Sequence, residues 1–184
     1  TLSGNRNAPS LMYAALIPPF AYEDILLPDG TEIFAWEGGL FHDGRAKDLF
    51  EQVDQPFFEA HEMNLKNKAD LAQKIRKSTY KGKFPKGALK DNNQLTYLVF
   101  RSLVEFLKSP FFRPFDSPFD RYQAGEKSAL SLSQKRGLDI YKTSGGCADC
   151  HFLEPQNWNK PLLSDFGYDN LGAPAIGKKD PGLF

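Results

Sequence analysis

The sequence predicts a mainly helical protein of one or two small domains, with long loops and a small β-hairpin. A chain of 184 residues, 41% of them hydrophobic, is long enough to bury one or two modest cores. Apolar residues recur at helical spacing in several stretches, most clearly over residues 93–107. The 16 Phe, 13 Pro and 15 Gly favour short helices that are joined by long, aromatic-rich connections.

The N-terminal part predicts a short helix, a hairpin and a glycine-rich loop. Ser10 can cap a helix over Leu11–Leu16, which the following Pro-Pro pair ends. Ile25–Leu27 and Glu32–Ala35 flank a Pro-Asp-Gly turn, so they predict a hairpin that must lie on a helical body to be stable. Gly38–Arg45 follows as a loop whose glycines allow tight backbone turns.

The remaining helices are predicted from apolar spacing and capping residues, and most of their apolar side chains are expected in the core. In the longest one the helical spacing involves Leu95, Leu98, Val99, Leu103, Phe106 and Leu107. A proline-rich connector over Pro110–Pro118 predicts a boundary between two domains. The predicted helices are Ala46–Val53, Lys68–Lys77 behind an Asn67 cap, Asn93–Leu107 and Ser133–Tyr141.

The charge balance excludes one class of partner. Lys plus Arg and Asp plus Glu number 23 each, whereas a nucleic-acid-binding protein needs a basic surplus. The balance therefore argues against nucleic acid as a partner and is compatible only with a local docking patch. No apolar run approaches the roughly 20 residues of a membrane span. The first residues resemble no leader peptide; for an exported protein the leader would be removed or lie outside this sequence.

Both cysteines of the chain lie in one motif, Cys147-Ala-Asp-Cys150-His151, which is the C-x-x-C-H signature of covalent c-type haem attachment. Thiols three residues apart reach the two vinyl groups of one porphyrin edge, and the adjacent imidazole then binds the iron. A dithiol redox pair lacks its βαβ context here, and a zinc site would need a second ligand pair. The motif therefore predicts c-type cytochrome haem domains and redox function in an extracytoplasmic compartment.

Segments along nearly the whole chain resemble, in order and spacing, the bacterial di-haem cytochrome c peroxidase family and its MauG-type relatives. The first resembles the family's R-N-x-P-[ST]-L segment, and the second its G-x-F-W-D-G-R-A loop. The others resemble its P-x-E-M segment, its approach to the second haem and the loop that follows that haem. These segments are Arg6–Leu11, Gly39–Ala46, Glu62–Met63, Phe119–Tyr122 with Gly125 and Ala129–Ser131, and Asp165–Pro174.

The resemblance implies a middle segment of a di-haem chain. Residues 1–115 would then be the remainder of a first, peroxidatic haem domain, and residues 116–184 an incomplete electron-transfer domain with His151 as the proximal iron ligand. The first haem motif and the distal ligand of the second haem would lie outside this sequence. The implied protein is a periplasmic homodimer that reduces hydrogen peroxide with electrons from a cytochrome c or a cupredoxin.

The resemblance also assigns roles to individual residues. Glu62 would be the acid/base group beside the first haem, and Asn7 would offer its side-chain carbonyl to a calcium ion between the haems. His42 stands where the family commonly has a Trp between the haems, and Trp36 is either its replacement or an ordinary packed aromatic. The second haem would be walled by residues of the loop over 155–174, namely Trp158, Leu162, Leu163, Phe166 and Tyr168.

Two other functions stay open at this stage. In a complete mono-haem carrier or relay protein, one of the remaining strong iron ligands, Met12, Met63, His42 or His61, would be the sixth ligand. In a segment of a di-haem chain, the two methionines are expected in the core and His61 near the first haem. A MauG-type enzyme would instead oxidise a protein substrate through the same haem pair.

Overall fold

The computed structural model describes residues 6–26, 30–154, 160–169 and 172. This part of the chain is mainly helical with one antiparallel hairpin, which confirms the predicted fold class. The residues form two compact units. Unit 1 comprises the described residues up to Phe112 together with those from Tyr168 onward, and unit 2 comprises Arg113–Gly167.

The first helical element of unit 1 is shorter than predicted. Instead of a helix over Leu11–Leu16, only a 3₁₀ turn over Ala14–Leu16 forms. Tyr13 precedes it with φ 62°, a left-handed conformation that a continuous α-helix cannot contain. The Ser10 hydroxyl accepts the N–H of Met12 at 3.0 Å, so it forms a local turn rather than a helix cap.

The hairpin consists of β1, Ala21–Leu26, and β2, Glu32–Glu37. Both strands are longer than predicted, and residues 27–29 of the predicted turn lie outside the described residues. Tyr22 pairs with Trp36 across the ladder, and their rings are 5.2 Å apart. Trp36 also stacks on Phe20 at 4.8 Å with nearly parallel rings. The aromatic pairs therefore stabilise the hairpin and hold it against Phe20.

Three helices form the body of unit 1: α1, Leu49–Phe58; α2, Lys68–Lys77; and α3, Asn92–Leu107. The predicted bounds of α2 and its Asn67 cap are confirmed. Helix α1 begins later than the predicted Ala46, because the Asp48 carboxylate accepts the N–H groups of the first turn while Ala46 pairs with Leu40 in an isolated bridge.

The core of unit 1 lies among α1, α2, α3 and the segments before them. Most predicted apolar positions of α3 are buried or half-buried, but Phe106 is 58% exposed and packs edge-to-face on Phe112. Met12 and Met63, expected in the core, are exposed, because both lie in irregular segments outside the helices. The buried cluster comprises Ala14, Leu40, Ala46, Leu49, Val53, Leu71, Val99, Phe100, Val104, Leu107 and Phe112.

The described part of unit 2 contains two α-helices, α4 over Pro118–Gln123 and α5 over Leu132–Lys142. The short α4 begins where the sequence predicted only a connector, because Ser117 and Asp120 form a capping box around a proline at the first helical position. Helix α5 corresponds to the predicted 133–141, and none of its side chains is buried within the described structure. No described helix in either unit has the length and apolarity that a bilayer span requires.

Candidate functional site

The Cys-x-x-Cys-His motif follows α5 directly. The N–H of Gly145 donates to the carbonyl of Ile140 at 2.8 Å, and a β-carbon at Gly145 would lie 2.9 Å from that carbonyl oxygen. Only glycine fits this close turn. Cys147–Asp149 then form a 3₁₀ turn, and the N–H of His151 donates to the carbonyl of Cys147 at 2.9 Å. The two cysteines and the histidine therefore share one compact helical stretch.

The imidazole of His151 is oriented by a backbone group. Its Nδ1 lies 2.9 Å from the carbonyl oxygen of Leu163. A carbonyl can only accept, so Nδ1 carries a proton, and in a neutral imidazole Nε2 then has a lone pair for a metal. The Tyr141 hydroxyl donates to the His151 carbonyl at 2.7 Å. Burial, and then the charge of Cys147, raise the pKa of Tyr141, which keeps the phenol protonated as a donor.

A cleft of about 250 Å³ lies beside the motif in unit 2. Leu163 and Tyr141, which hold His151, both contribute to it, and most of the other lining side chains are apolar. Phe166 and Leu162, predicted as haem walls, are half-buried but do not line this cleft, and Tyr168 belongs to unit 1. Trp158 lies outside the described residues. The cleft is lined by Phe119, Leu130, Gln134, Gly137, Leu138, Tyr141, Leu153 and Leu163.

These residues fit a covalently bound haem. Cys147 and Cys150 are at least partly accessible, and neither is in a disulfide. The adjacent His151 has an oriented ring with one nitrogen available to iron. The neighbouring cleft is apolar, as a porphyrin face requires. The donor set and its surroundings therefore agree with the attachment chemistry that the motif predicts.

A larger cleft of about 800 Å³ opens in unit 1. Its walls come from the N-terminal segment, the glycine-rich loop, α1 and the turn that follows α1. The volume falls in the range of cofactor sites, roughly 300–1,000 Å³. The lining residues include Asn7, His42, His61 and Glu62, so the structure brings together most of the unit 1 residues that the sequence singled out.

The turn after α1 holds Glu62 at the edge of the unit 1 cleft. The N–H groups of Glu62 and Asn64 both donate to the carbonyl of Glu59 at 3.0 Å. The N–H of Met63 donates back to Pro56 of α1 at 3.1 Å. This backbone bonding fixes where the Glu62 side chain begins, although 37% of that side chain is exposed. His61 lies between two carboxylates, with Nε2 3.8 Å from Glu62 and Nδ1 4.0 Å from Glu59.

Two arginines converge on one carboxylate in the same cleft. Asp43 accepts from Arg6 and, at 2.9 Å, from Nη1 of Arg45. The Arg45 guanidinium also lies 3.7 Å from the centre of the Phe41 ring and donates to Gln55 at 3.3 Å. Its planar charge is thus fixed by an ion pair, a ring and an amide. The glycine-rich loop is rigidly held where it borders the cleft.

One cleft residue was missed by sequence reasoning. Gln52 lines the unit 1 cleft and is 7% exposed. It lies on α1 between Leu49 and Val53, on the face that enters the core. A polar side chain on an otherwise apolar helix face could have identified it, since a buried amide needs a reason to be there. Trp36 does not line either cleft and packs on Phe20.

The chain is similar to known di-haem proteins. The family model for di-haem cytochrome c peroxidase matches residues 1–128. The methylamine utilization protein MauG of Paracoccus denitrificans is 32% identical over 177 residues, which cover 93% of this chain and 43% of that protein. Cytochrome c551 peroxidase of Nitrosomonas europaea is 29% identical over 150 residues, covering 76% of this chain and 41% of that protein.

A solved structure has the same fold. The diheme peroxidase BthA from Burkholderia thailandensis superposes with a TM-score of 0.75 at 31% identity, over 90% of this chain and 40% of that one. The chain spans less than half the length of each of these relatives. The family model covers more than half of the chain, and the MauG relative covers nearly all of it. The chain therefore belongs to the di-haem cytochrome c peroxidase family.

Proposed function

We propose that this chain is the middle part of a periplasmic di-haem enzyme that reduces hydrogen peroxide with electrons from a small redox protein. The observation that carries the proposal is the His151 imidazole, held by Leu163 with one nitrogen available to iron, directly after two cysteines and beside an apolar cleft. Residues 116–184 are then the electron-transfer domain, and residues 1–115 belong to the peroxidatic domain. The redox donor is a cytochrome c or a cupredoxin, and the enzyme is a homodimer.

Two haems are part of the proposal. Cys147 and Cys150 hold the second haem and His151 binds its iron, while the unit 1 cleft takes the first haem. Because the sequence has only two cysteines, another segment supplies the thiols of that first haem. A haem iron supplies the redox chemistry that breaks the oxygen–oxygen bond. The balance is one hydrogen peroxide, two electrons from the donor protein and two protons taken up from the buffered solvent, which give two water molecules.

The proposed task of Glu62 is to move a proton within the peroxide. Its carboxylate takes the proton from one peroxide oxygen and returns it to the other, so that water leaves instead of hydroxide. The backbone bonds of the turn after α1 support this role, because they fix the base of the side chain at the cleft. Asn7, which lines the same cleft, offers an amide oxygen to a calcium ion, a ligand type that calcium prefers.

Replacing Glu62 tests the proposal. Glu62→Gln keeps the shape of the side chain and removes the titrating group, so peroxide turnover of the haem-loaded full-length enzyme should fall about 10²–10⁴-fold. The matched control is Glu59→Gln, which removes a second exposed carboxylate from the same cleft and should keep its turnover. The absorbance spectrum of the His151 haem should be unchanged in both. Equal turnover in the two variants would reject the role of Glu62.

Covalent attachment is tested separately. Denatured protein should keep its haem absorbance and gain the mass of one porphyrin on the peptide that contains Cys147 and Cys150. Cys147→Ser together with Cys150→Ser should abolish both signals from that peptide. Haem that acidified organic solvent removes from the wild-type peptide would contradict attachment at these cysteines.

A second candidate function is the oxidation of a protein side chain by the same haem pair. The similarity to MauG favours it, because that match extends over 93% of this chain, against 76% for the c551 peroxidase. Steady turnover of peroxide with a reduced cytochrome c or cupredoxin supports the peroxidase proposal. Peroxide consumption that instead leaves an oxidised residue on an added protein supports the second candidate.

A further inference from the structure

The charges of this chain are strongly segregated along the sequence. Residues 66–90 contain nine Lys and Arg and one acidic residue, Asp70, so the segment has a net charge of +8. The rest of the chain has 14 basic and 22 acidic residues and a net charge of −8. The overall net charge of zero therefore hides a strongly basic segment in unit 1.

This segment folds so that its lysine side chains face solvent. It consists of α2 and two 3₁₀ turns, Thr79–Lys83 and Ala88–Lys90, which pack against one another or on α3. Leu71, Ala72 and Ala88 of the segment are buried, while Tyr80 in its middle is 67% exposed. The exposed lysines other than Lys68, called here the lysine surface, are Lys66, Lys74, Lys77, Lys81, Lys83, Lys86 and Lys90.

The other charged residues of the segment have partners within the fold. Arg76 donates to the Leu89 carbonyl and to Asn92, both at 2.7 Å. Asp70 accepts the N–H of Lys66 at 3.2 Å. Lys68 opposes the rise that burial causes in the pKa of Asp54. Among residues 66–90, all of which the structure describes, no lysine of the lysine surface is in a salt bridge within 4.0 Å.

We propose that the lysine surface binds an acidic protein. Lysines are strongly hydrated point charges on flexible stems, which suit fast, reversible docking guided by charge. A site for phosphate groups would favour the planar fork of arginine, but the single arginine of the segment is held inside the fold. A long polyanion or a charged bilayer would also meet the rest of unit 1, where residues 1–65 and 91–112 have 5 basic and 13 acidic residues, whereas a small protein can contact the lysine surface alone.

The test measures association with a strongly acidic cupredoxin as the probe, using the haem-loaded full-length protein without peroxide. Lys77, Lys81 and Lys83 are together replaced by Gln. Association should become roughly tenfold slower at low ionic strength, and the difference should vanish near 0.5 M salt, where the Debye length is only about 4 Å. The matched control replaces Lys47, Lys108 and Lys127 by Gln, which removes the same charge from exposed positions elsewhere.

Further variants and probes separate charge from structure. The triple Lys→Arg variant at positions 77, 81 and 83 should retain the wild-type association rate. Equal losses in the Gln variant and its matched control would show that only total charge matters, and would overturn the proposal. Tighter retention of the wild type by duplex DNA or by phosphatidylglycerol vesicles than by the acidic cupredoxin would overturn it as well. Because no peroxide is present, neither result bears on the role of Glu62.

Discussion

Gly44 should be among the least replaceable residues of unit 1. Its φ is +67°, and a β-carbon there would lie 2.5 Å from the Tyr168 hydroxyl oxygen and 3.0 Å from the Phe20 ring. The same hydroxyl donates to the Gly38 carbonyl at 2.7 Å. Gly44→Ala would thus strain the backbone, crowd a ring and disturb a hydrogen bond. Because Gly44 lies beside Asp43 and Arg45, the unit 1 cleft would be disturbed too.

The expected cost follows from these three contacts. A left-handed conformation costs a non-glycine residue about 1–2 kcal/mol. Overpacking adds about 1–3 kcal/mol, and the hydrogen bond contributes about 0.5–1.5 kcal/mol. Gly44→Ala should therefore lower the free energy of unfolding by roughly 3–5 kcal/mol, a large fraction of the roughly 5–15 kcal/mol that stabilises a typical domain.

Urea unfolding followed by tryptophan fluorescence is a suitable assay, because Trp36 stacks on Phe20 in the same cluster. Gly30→Ala is the control: Gly30 has φ +86° and no atom within 4 Å of a β-carbon, so only the backbone cost of about 1–2 kcal/mol should appear. Adding Tyr168→Phe to Gly44→Ala should cost less than the sum of the two single changes. Equal costs for Gly44→Ala and Gly30→Ala would refute the reasoning.

Three smaller effects should also be measurable. Asp48→Ala removes the acceptor for two N–H groups of α1 and should lower the free energy of unfolding, measured with urea, by about 0.5–2 kcal/mol. Asp48→Asn keeps an acceptor and should retain most of the wild-type stability. Burial, then the charge of Glu51, raise the pKa of Asp54 above 3.8, against the effect of Lys68. The folded state then holds a proton that the unfolded state has lost, so stability falls as pH rises from 3.8 through the folded pKa, and Asp54→Asn should abolish that decline. Tyr141→Phe should cost about 1 kcal/mol and speed amide hydrogen exchange at His151, and an unchanged exchange rate would contradict the role of its hydroxyl.

Predictions from the sequence were most accurate where a local pattern determines the structure. Helix α2 has the predicted bounds, because the Asn67 cap and its apolar spacing act within a few residues of each other. The cysteine motif likewise needs only five consecutive residues to be recognised. The family membership was recognised from several short segments, whose order along the chain is as informative as the residues that they contain.

Other features depend on residues far apart in the sequence and could not be predicted from it. The N–H of Tyr13, which has a left-handed conformation, donates to the carbonyl of Phe112 at 2.8 Å. Nothing near Tyr13 in the sequence indicates that partner. The orientation of His151 depends on Leu163, twelve residues later. Gln52 lines the cleft because the loop around His42 and α1 form walls of the same cleft, an arrangement that the sequence does not indicate.

Leu163 contributes to the unit 2 site in two ways. Its carbonyl oxygen accepts from Nδ1 of His151, while its side chain lines the apolar cleft. Its φ of 57° is a left-handed conformation that few side chains adopt. Because one residue both orients the imidazole and contacts whatever fills the cleft, the fit of a cofactor there and the direction of the nitrogen that would bind its iron are mechanically coupled.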